Sequence, residues 1–237
     1  MSLDKIQVLD RTNLTRDIAA RLRELIANGD LLPGTRLVEA EVSQKLGVSR
    51  GPVREALRIL ESEGLVTNRP GRGSSVVEIS QKDILEIYSL RAILEEEAIR
   101  LAIERSTPED IAELEAILAA MFAAAAEADR VGVLDKDIAF HRRIWRIAGH
   151  SRLEAYLEEL AVHSKMYVAV QTAHYADLAA GVSDHNVLLD ALKTKDAKLA
   201  TETLGEHLRV ATETLLAYAR GEAGSGYAEG GASTVPA

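Results

Sequence analysis

Apolar residues return every three or four positions along most of this chain, and short polar stretches rich in Gly, Pro, Asp and Ser interrupt them. From Leu14 to Asn28 the pattern predicts an amphipathic helix with Ile18, Leu22, Leu25 and Ile26 inward, stopped by Gly29 and the turn Leu32-Pro33-Gly34. Val38 to Leu46 predicts a short second helix closed by Gly47. Ser49 to Leu60 predicts a third, with Val53, Ala56, Leu57 and Leu60 on its apolar side. The Ser49 hydroxyl stands where it can accept a backbone amide hydrogen as the cap. Pro52 is tolerable in the first turn because those amides lack intrahelical partners. The period then shortens: Leu65 to Asn68 and Ser74 to Glu78 read as two strands, with Arg69-Pro70-Gly71-Arg72-Gly73 as a glycine-rich tip between them.

From Asp83 onward the helical period holds almost throughout, with breaks near Thr107-Pro108, Ala128 to Val131, Gly149 to Ser151, Gly181 to Ser183 and Thr194 to Asp196. That predicts about six helices. Their inward stripes include Ile84, Ile87, Leu90 and Leu94 in the first and Leu134, Ile138, His141 and Trp145 in the third. Short connections make such helices antiparallel neighbours in a bundle. The fold class expected is therefore mainly α: an N-terminal winged helix-turn-helix (α/β) over residues 1–78, then an all-α antiparallel helical bundle over 79–220. Residues 221–237, rich in Gly, Ala and Ser, read as a disordered tail.

The third helix carries the first chemistry. Arg50, Arg54 and Arg58, four residues apart, form a row of guanidinium groups, and a planar fork grips phosphate or a guanine edge. Arginines at that spacing are also common on a solvated helix face, so the neighbours decide. A short helix and a tight turn stand before the row and a basic hairpin after it, which is the layout of a DNA-reading module. In the hairpin tip, Gly71 and Gly73 let the backbone approach a sugar-phosphate chain on either side of Arg72.

Charge sharpens this assignment. The chain has 237 residues and a net charge of −9, which argues against nonspecific coating of nucleic acid. Residues 1–78 hold 12 Lys and Arg against 11 Asp and Glu, whereas 79–237 hold 16 against 26, so the amino-terminal part is the DNA face. A module of net +1 binds weakly alone, which predicts a homodimer on a twofold-symmetric operator in double-stranded DNA. The absence of cysteine excludes disulfides and thiolate metal sites. The longest apolar stretch, Ile117 to Ala126, is too short to cross a bilayer, and no secretory signal opens the chain, so a cytoplasmic protein without a membrane partner is expected.

Within the predicted bundle, Asp137 and His141 stand four residues apart on one helix face and can share one ion. Imidazoles from later helices would complete a set of three nitrogens and one oxygen. Such donors, without sulfur, suit Zn²⁺, Ni²⁺, Fe²⁺ or Mn²⁺. A lone histidine among leucines is more often a satisfied core residue.

Several phrases in one register resemble a known family. Leu32-Pro33-Gly34-Thr35-Arg36-Leu37, the run Gly47 to Leu57, Glu63-Gly64-Leu65-Val66 and Arg72-Gly73-Ser74-Ser75-Val76 are similar to the winged helix-turn-helix of GntR-family bacterial transcription regulators. Gly51 departs from it, standing where the family usually carries a threonine or similar small polar residue. Glu86 to Arg91 followed by Leu94-Glu95, Asp137 to His141, Asp184-His185, and Asp196 to Ala200 before His207 resemble the FCD effector domain of the FadR-like branch. Six helices instead of seven are similar to its shorter VanR-like form.

The resemblance implies DNA contacts from Arg36, Ser49, Arg50, Arg54, Arg58, Gly71, Arg72 and Gly73. It implies a divalent metal, Zn²⁺ before Ni²⁺, Mn²⁺ or Fe²⁺, held by Asp137, His141, His185 and His207. A small carboxylate effector would fill the remaining coordination positions, with Arg91 as a second grip and His163, Tyr167 and Gln171 on one stripe reading its hydroxyls. His150 and His174 receive no role. The expected function is ligand-responsive regulation of transcription, without catalysis. Two alternatives stand beside it: a metal-dependent helical-bundle enzyme, and a metal-free ligand sensor of the same regulator type.

Overall fold

The computed structural model describes residues 12–173 and 178–222. The expected tail beyond Glu222, and His174, fall outside the described residues. The chain divides into two compact units, Met1–Glu78 and Ile79–Ala237.

In the first unit the order is α1 (Thr12–Ala27), β1 (Arg36–Leu37), α2 (Glu39–Leu46), α3 (Arg50–Ser62), β2 (Val66–Arg69) and β3 (Gly73–Val76). The strands form an antiparallel sheet in the order β1-β3-β2, with Val66 opposite Val76 and Arg69 opposite Gly73. The hairpin is thus the expected wing. Strand β1, two residues long, is too short to leave a period in the sequence. Ile18, Leu22, Ile26, Leu37, Val53, Leu57, Leu60, Leu65 and Val76 are all buried and make the core, while Leu25 is half-buried. Gly47 ends α2 at φ 67°, ψ 30°, a left-handed conformation that costs a side-chain-bearing residue stability. Its amide and that of Val48 return to carbonyls of the last turn of α2, which fixes the tight entry into α3.

Ser49 is the N-cap of α3, but its side chain makes no capping hydrogen bond. The reason is local. A capping oxygen accepts from the second or third helical amide, and the third residue here is Pro52, which has no N–H.

The second unit is helical: α4 (Gln81–Arg105), α5 (Pro108–Ala126), α6 (Arg130–Ile147), α7 (Ser151–Ala173), α8 (Leu178–Val182), α9 (Asp184–Lys193) and α10 (Ala197–Ala219). Side-chain acceptors start four of them. Ser80 bonds the amide of Asp83, Thr107 and Asp110 form a reciprocal capping box, Asp129 bonds Gly132, and Asp196 bonds Leu199. Among the described residues there are seven helical segments instead of about six, because the stretch expected as one long fourth helix from residue 151 is described in two parts, α7 to Ala173 and α8 from Leu178.

The central packing is of α4 against α6, α7, α9 and α10, and of α6 against α5 and α7. Ile84, Ile99, Leu114, Met121, Leu134, Phe140, Trp145, Leu157, Leu188 and Leu204 fill the core. The stripe predicted for α4 requires correction. Ile84 is buried, but Ile87 and Leu94 are half-buried and Leu90 is 49 % exposed. The inward face instead runs through Ile84, Tyr88, Arg91, Glu95, Ala98 and Ala102. No helix among the described residues is long and apolar enough to cross a membrane.

Candidate functional site

Each unit carries its own cluster of chemistry. In the first, Arg36, Ser49, Arg50, Arg54, Arg58, Gly71, Arg72 and Gly73 are all exposed. Arg36 and Gly73 line one cleft with Glu39 and Asn68, so the start of α2 and the base of the wing share a surface. The arginine row is only partly unneutralised. Arg54 lays its fork on Glu39, with Nε and Nη2 donating to the two carboxylate oxygens at 2.9 and 2.8 Å, and Arg58 Nη1 donates to Glu55 Oε1 at 2.8 Å. The bond from Arg54 holds the Glu39 carboxyl below the usual range. Glu39 was not among the residues singled out, and a carboxylate at the start of α2 gives no sequence signal of pairing with an arginine fifteen positions later. A Cβ at Gly51 would meet nothing within 4 Å, so packing does not require glycine there.

In the second unit the four expected metal residues come from three helices: Asp137 and His141 from α6, His185 from α9 and His207 from α10. One ligand atom from each of the three histidines can be chosen so that all lie within 4.8 Å of one another. Asp137 Oδ1 is 3.1 Å from His185 Nε2. His141 and His185 are buried, His207 is half-buried, and the Asp137 side chain is 17 % exposed.

Two ring nitrogens in this cluster, His185 Nε2 and His207 Nδ1, are buried without a hydrogen-bond partner. Asp137 Oδ1 faces the first of them at 3.1 Å as an ion-pair partner. A buried polar atom left unmade costs about 1 to 3 kcal/mol, so the arrangement calls for something to fill it. Donors bound at about 2.0 to 2.2 Å to one ion lie roughly 3 Å apart when adjacent, close to the Asp137–His185 spacing. His185 Nδ1 lies 3.3 Å from the Val182 carbonyl, an acceptor for a proton on that nitrogen, while Nε2 faces the Asp137 carboxylate.

The electrostatics favour the ligating forms. Burial works against a charged Asp137, but the facing His185, and after it His141, hold the carboxyl well below the usual range. Burial pushes His207 well below its ordinary value, and neighbouring His185 and His141 add to the effect, so it is neutral. The three histidines therefore form a group that can hold a divalent cation, with Asp137 beside His185.

Glu95, which the helical period passed over as a site residue, sits against this cluster. It is 2 % exposed, lies 3.0 Å from His141 Nδ1 through Oε2, and accepts from Arg91 Nε at 2.7 Å through Oε1. Burial raises its carboxyl, yet Arg91 and His141 bring it down to about 2. Arg91 is itself buried, with its guanidinium carbon 4.9 Å from the centroid of the Tyr88 ring, and Tyr88 stacks on Tyr167 at 6.3 Å. Burial pushes the Tyr88 hydroxyl up to about 12, and that hydroxyl is unpartnered. So Arg91 and Tyr167 are brought into one aromatic and cationic cluster. Gln171 donates to the Ala211 carbonyl at 2.7 Å, tying α7 to α10, and His163 is half-buried on α7.

A winged helix-turn-helix followed by a helical unit with an internal polar centre defines the class: a DNA-binding transcription regulator with an effector domain. Residues 14–76 match the gntR family of bacterial regulatory proteins, and residues 86–210 match the FCD domain. The chain belongs to the GntR family and carries an FCD domain. It is 29 % identical over 200 residues to the HTH-type transcriptional regulator McbR of Escherichia coli, covering 84 % of this chain and 90 % of that protein. A solved structure of E. coli McbR superposes with a TM-score of 0.74 at 27 % identity, covering 86 % and 98 % of the two chains. It is 28 % identical over 195 residues to the gluconate operon transcriptional repressor of Bacillus subtilis, covering 80 % of each chain. These relatives are regulators, and the enzyme alternative is set aside.

Proposed function

We propose that the FCD domain senses a small carboxylic acid through a divalent metal ion held by Asp137, His141, His185 and His207, and thereby sets the operator affinity of a cytoplasmic homodimer. The single observation that carries this reading is the meeting of His141, His185 and His207, with Asp137 3.1 Å from His185, around two buried nitrogens that make no hydrogen bond. Three nitrogens and one oxygen suit Zn²⁺ first, with Ni²⁺, Mn²⁺ and Fe²⁺ as alternatives. The ion would supply a Lewis acid for a carboxylate or hydroxyl. Arg91 would grip the same anion through its Nη groups, and Tyr167, His163 and Gln171 would sort its hydroxyl pattern. That one relative is a gluconate operon repressor supports a sugar acid or hydroxy acid as the class of effector.

In the first unit, Arg36, Arg50, Arg54 and Arg72 would contact the duplex, Gly71 and Gly73 would bring the wing close, and Arg58 would reach a phosphate. Ser49, its hydroxyl unused by the helix, would donate to a phosphate oxygen. Two copies supply the charge that one weakly basic module lacks, and an effector that changes their spacing changes the fit to two half-sites.

The test is elemental analysis of the purified protein followed by thermal-shift screening of the metal-loaded form against sugar acids and hydroxy acids. Near-stoichiometric metal, lost in His185→Ala, together with stabilisation by one class of acid is the expected result. Stabilisation by an acid without any metal would replace this reading with the metal-free sensor.

A further inference from the structure

His141 and His185 are prepared for an ion in different ways. His185 is held by a backbone carbonyl of its own local turn, at 3.3 Å. His141 is held from another helix by a side-chain carboxylate that is itself fixed by a buried guanidinium: Arg91 Nε to Glu95 Oε1 at 2.7 Å, then Glu95 Oε2 to His141 Nδ1 at 3.0 Å. Arg91, Glu95 and His141 are 4 %, 2 % and 1 % exposed, so no solvent competes for these bonds.

An ionised carboxylate only accepts hydrogen bonds. Glu95 therefore requires the His141 proton on Nδ1, which leaves Nε2 as the nitrogen with a lone pair. We propose that Glu95 is a positioning residue for the metal centre: it fixes the tautomer and ring orientation of His141 from α4, and Arg91 keeps its carboxylate in place, although neither residue is a ligand. The inference rests on the metal reading above and extends it to a helix that supplies none of the four donors. A carboxylate behind an imidazole also makes the far nitrogen more basic, and losing such a partner typically weakens metal binding by about 10- to 100-fold.

Two measurements test this. In metal-stripped wild-type protein labelled with ¹⁵N-histidine, long-range proton–nitrogen spectra should show His141 with the proton on Nδ1. A spectrum with the proton on Nε2 overturns the proposal without reference to any metal. Zn²⁺ affinity is then measured by competition with a chromophoric chelator for wild type, His141→Ala, Glu95→Gln and the double variant Arg91→Met/Glu95→Leu. The double variant removes both buried charges together and keeps the site packed, so folding is preserved if Glu95→Gln alone proves unstable.

The expected result is a 10- to 100-fold loss of Zn²⁺ affinity in the double variant, an ordinary far-ultraviolet circular dichroism spectrum, and loss of the single His141 tautomer in the stripped form. If His141→Ala loses affinity and the double variant does not, Glu95 has no positioning role while the metal reading stands. If wild type binds no Zn²⁺, the metal reading falls and takes this inference with it.

Discussion

Removing the metal should lower the stability of the second unit by an amount that the ligand geometry sets. Among the described residues His207 Nδ1 has no hydrogen-bond partner and His185 Nε2 faces only the Asp137 carboxylate, 3.1 Å away, so the empty site retains at least one desolvated nitrogen at about 1 to 3 kcal/mol. An ion that binds only the folded form contributes RT ln(1 + [M]/Kd), about 2.7 kcal/mol when the free ion stands at 100 times Kd. For a unit of this size that converts to a midpoint rise of roughly 5 to 10 °C. Trp145 is the single tryptophan of the chain, 2 % exposed and one helical turn beyond His141, so its fluorescence reports this unit's unfolding. Chelator-stripped protein is melted with and without saturating Zn²⁺, alongside His185→Ala and Asp137→Asn. Wild type should gain those degrees and both variants should lose most of the gain. A wild-type gain under about 1 °C, or an undiminished gain in His185→Ala, would refute the four-ligand site.

The remaining predictions concern DNA, helix starts and acid. Arg54→Ala should weaken operator binding by about 1 to 3 kcal/mol if the side chain reads a base, and an unchanged anisotropy titration removes it from the interface. Glu39→Gln should release Arg54 from its paired state and tighten binding to a scrambled duplex, with a steeper dependence on salt; identical salt slopes would show that the pair survives on DNA. Thr107→Ala breaks the capping box that starts α5 and should cost about 0.5 to 2 kcal/mol in urea unfolding followed at Trp145. Glu95 is depressed from 4.5 to about 2, so its contribution to stability is fully present above pH 4.5 and is lost as pH falls toward 2. Across that window the melting midpoint of Arg91→Met/Glu95→Leu should fall less steeply than that of wild type, and parallel profiles would contradict the assignment.

Most of the architecture was legible because it follows from period and punctuation. Gly47, Pro52 and the run Arg69 to Gly73 mark turns whose chemistry admits few alternatives, and the starts of α5 and α10 lie beside Thr107 and Asp196, which act as caps. The face of α4 was misread for an equally physical reason. Its inward stripe contains Tyr88, Arg91 and Glu95, which count as polar, while Leu85, Leu90 and Ile93 stand 51 %, 49 % and 67 % exposed. An amphipathic pattern reports where apolar residues lie, and a helix that brings charge into a core inverts it. The Asp137–His141 spacing was visible on one helix. The closeness of His185 and His207, from two later helices, followed from the family resemblance and not from spacing. Glu95 was hidden because its partners stand on either side of it in kind: one a helical turn before, the other 46 residues onward.

The buried row Arg91–Glu95–His141 also bears on why this core tolerates charge. Desolvating two ions costs several kcal/mol apiece, and apolar substitutes of similar volume often leave a protein as stable or more so, by up to about 4 kcal/mol. Thermodynamic gain is therefore a weak reason for placing a guanidinium and a carboxylate at a position where leucine would pack. Orientation is a stronger one. A leucine could fill the space at Glu95, but it could not choose which nitrogen of His141 carries the proton, and that choice decides whether the ring presents a lone pair or an N–H at Nε2. On this argument the double variant Arg91→Met/Glu95→Leu should stay within about 1 to 3 kcal/mol of wild type in the metal-free state, the cost of the orphaned His141 Nδ1 being offset by the two desolvated charges removed, while binding the ion less tightly. A loss of affinity without a matching loss of stability is the signature that separates a positioning row from an ordinary structural ion pair.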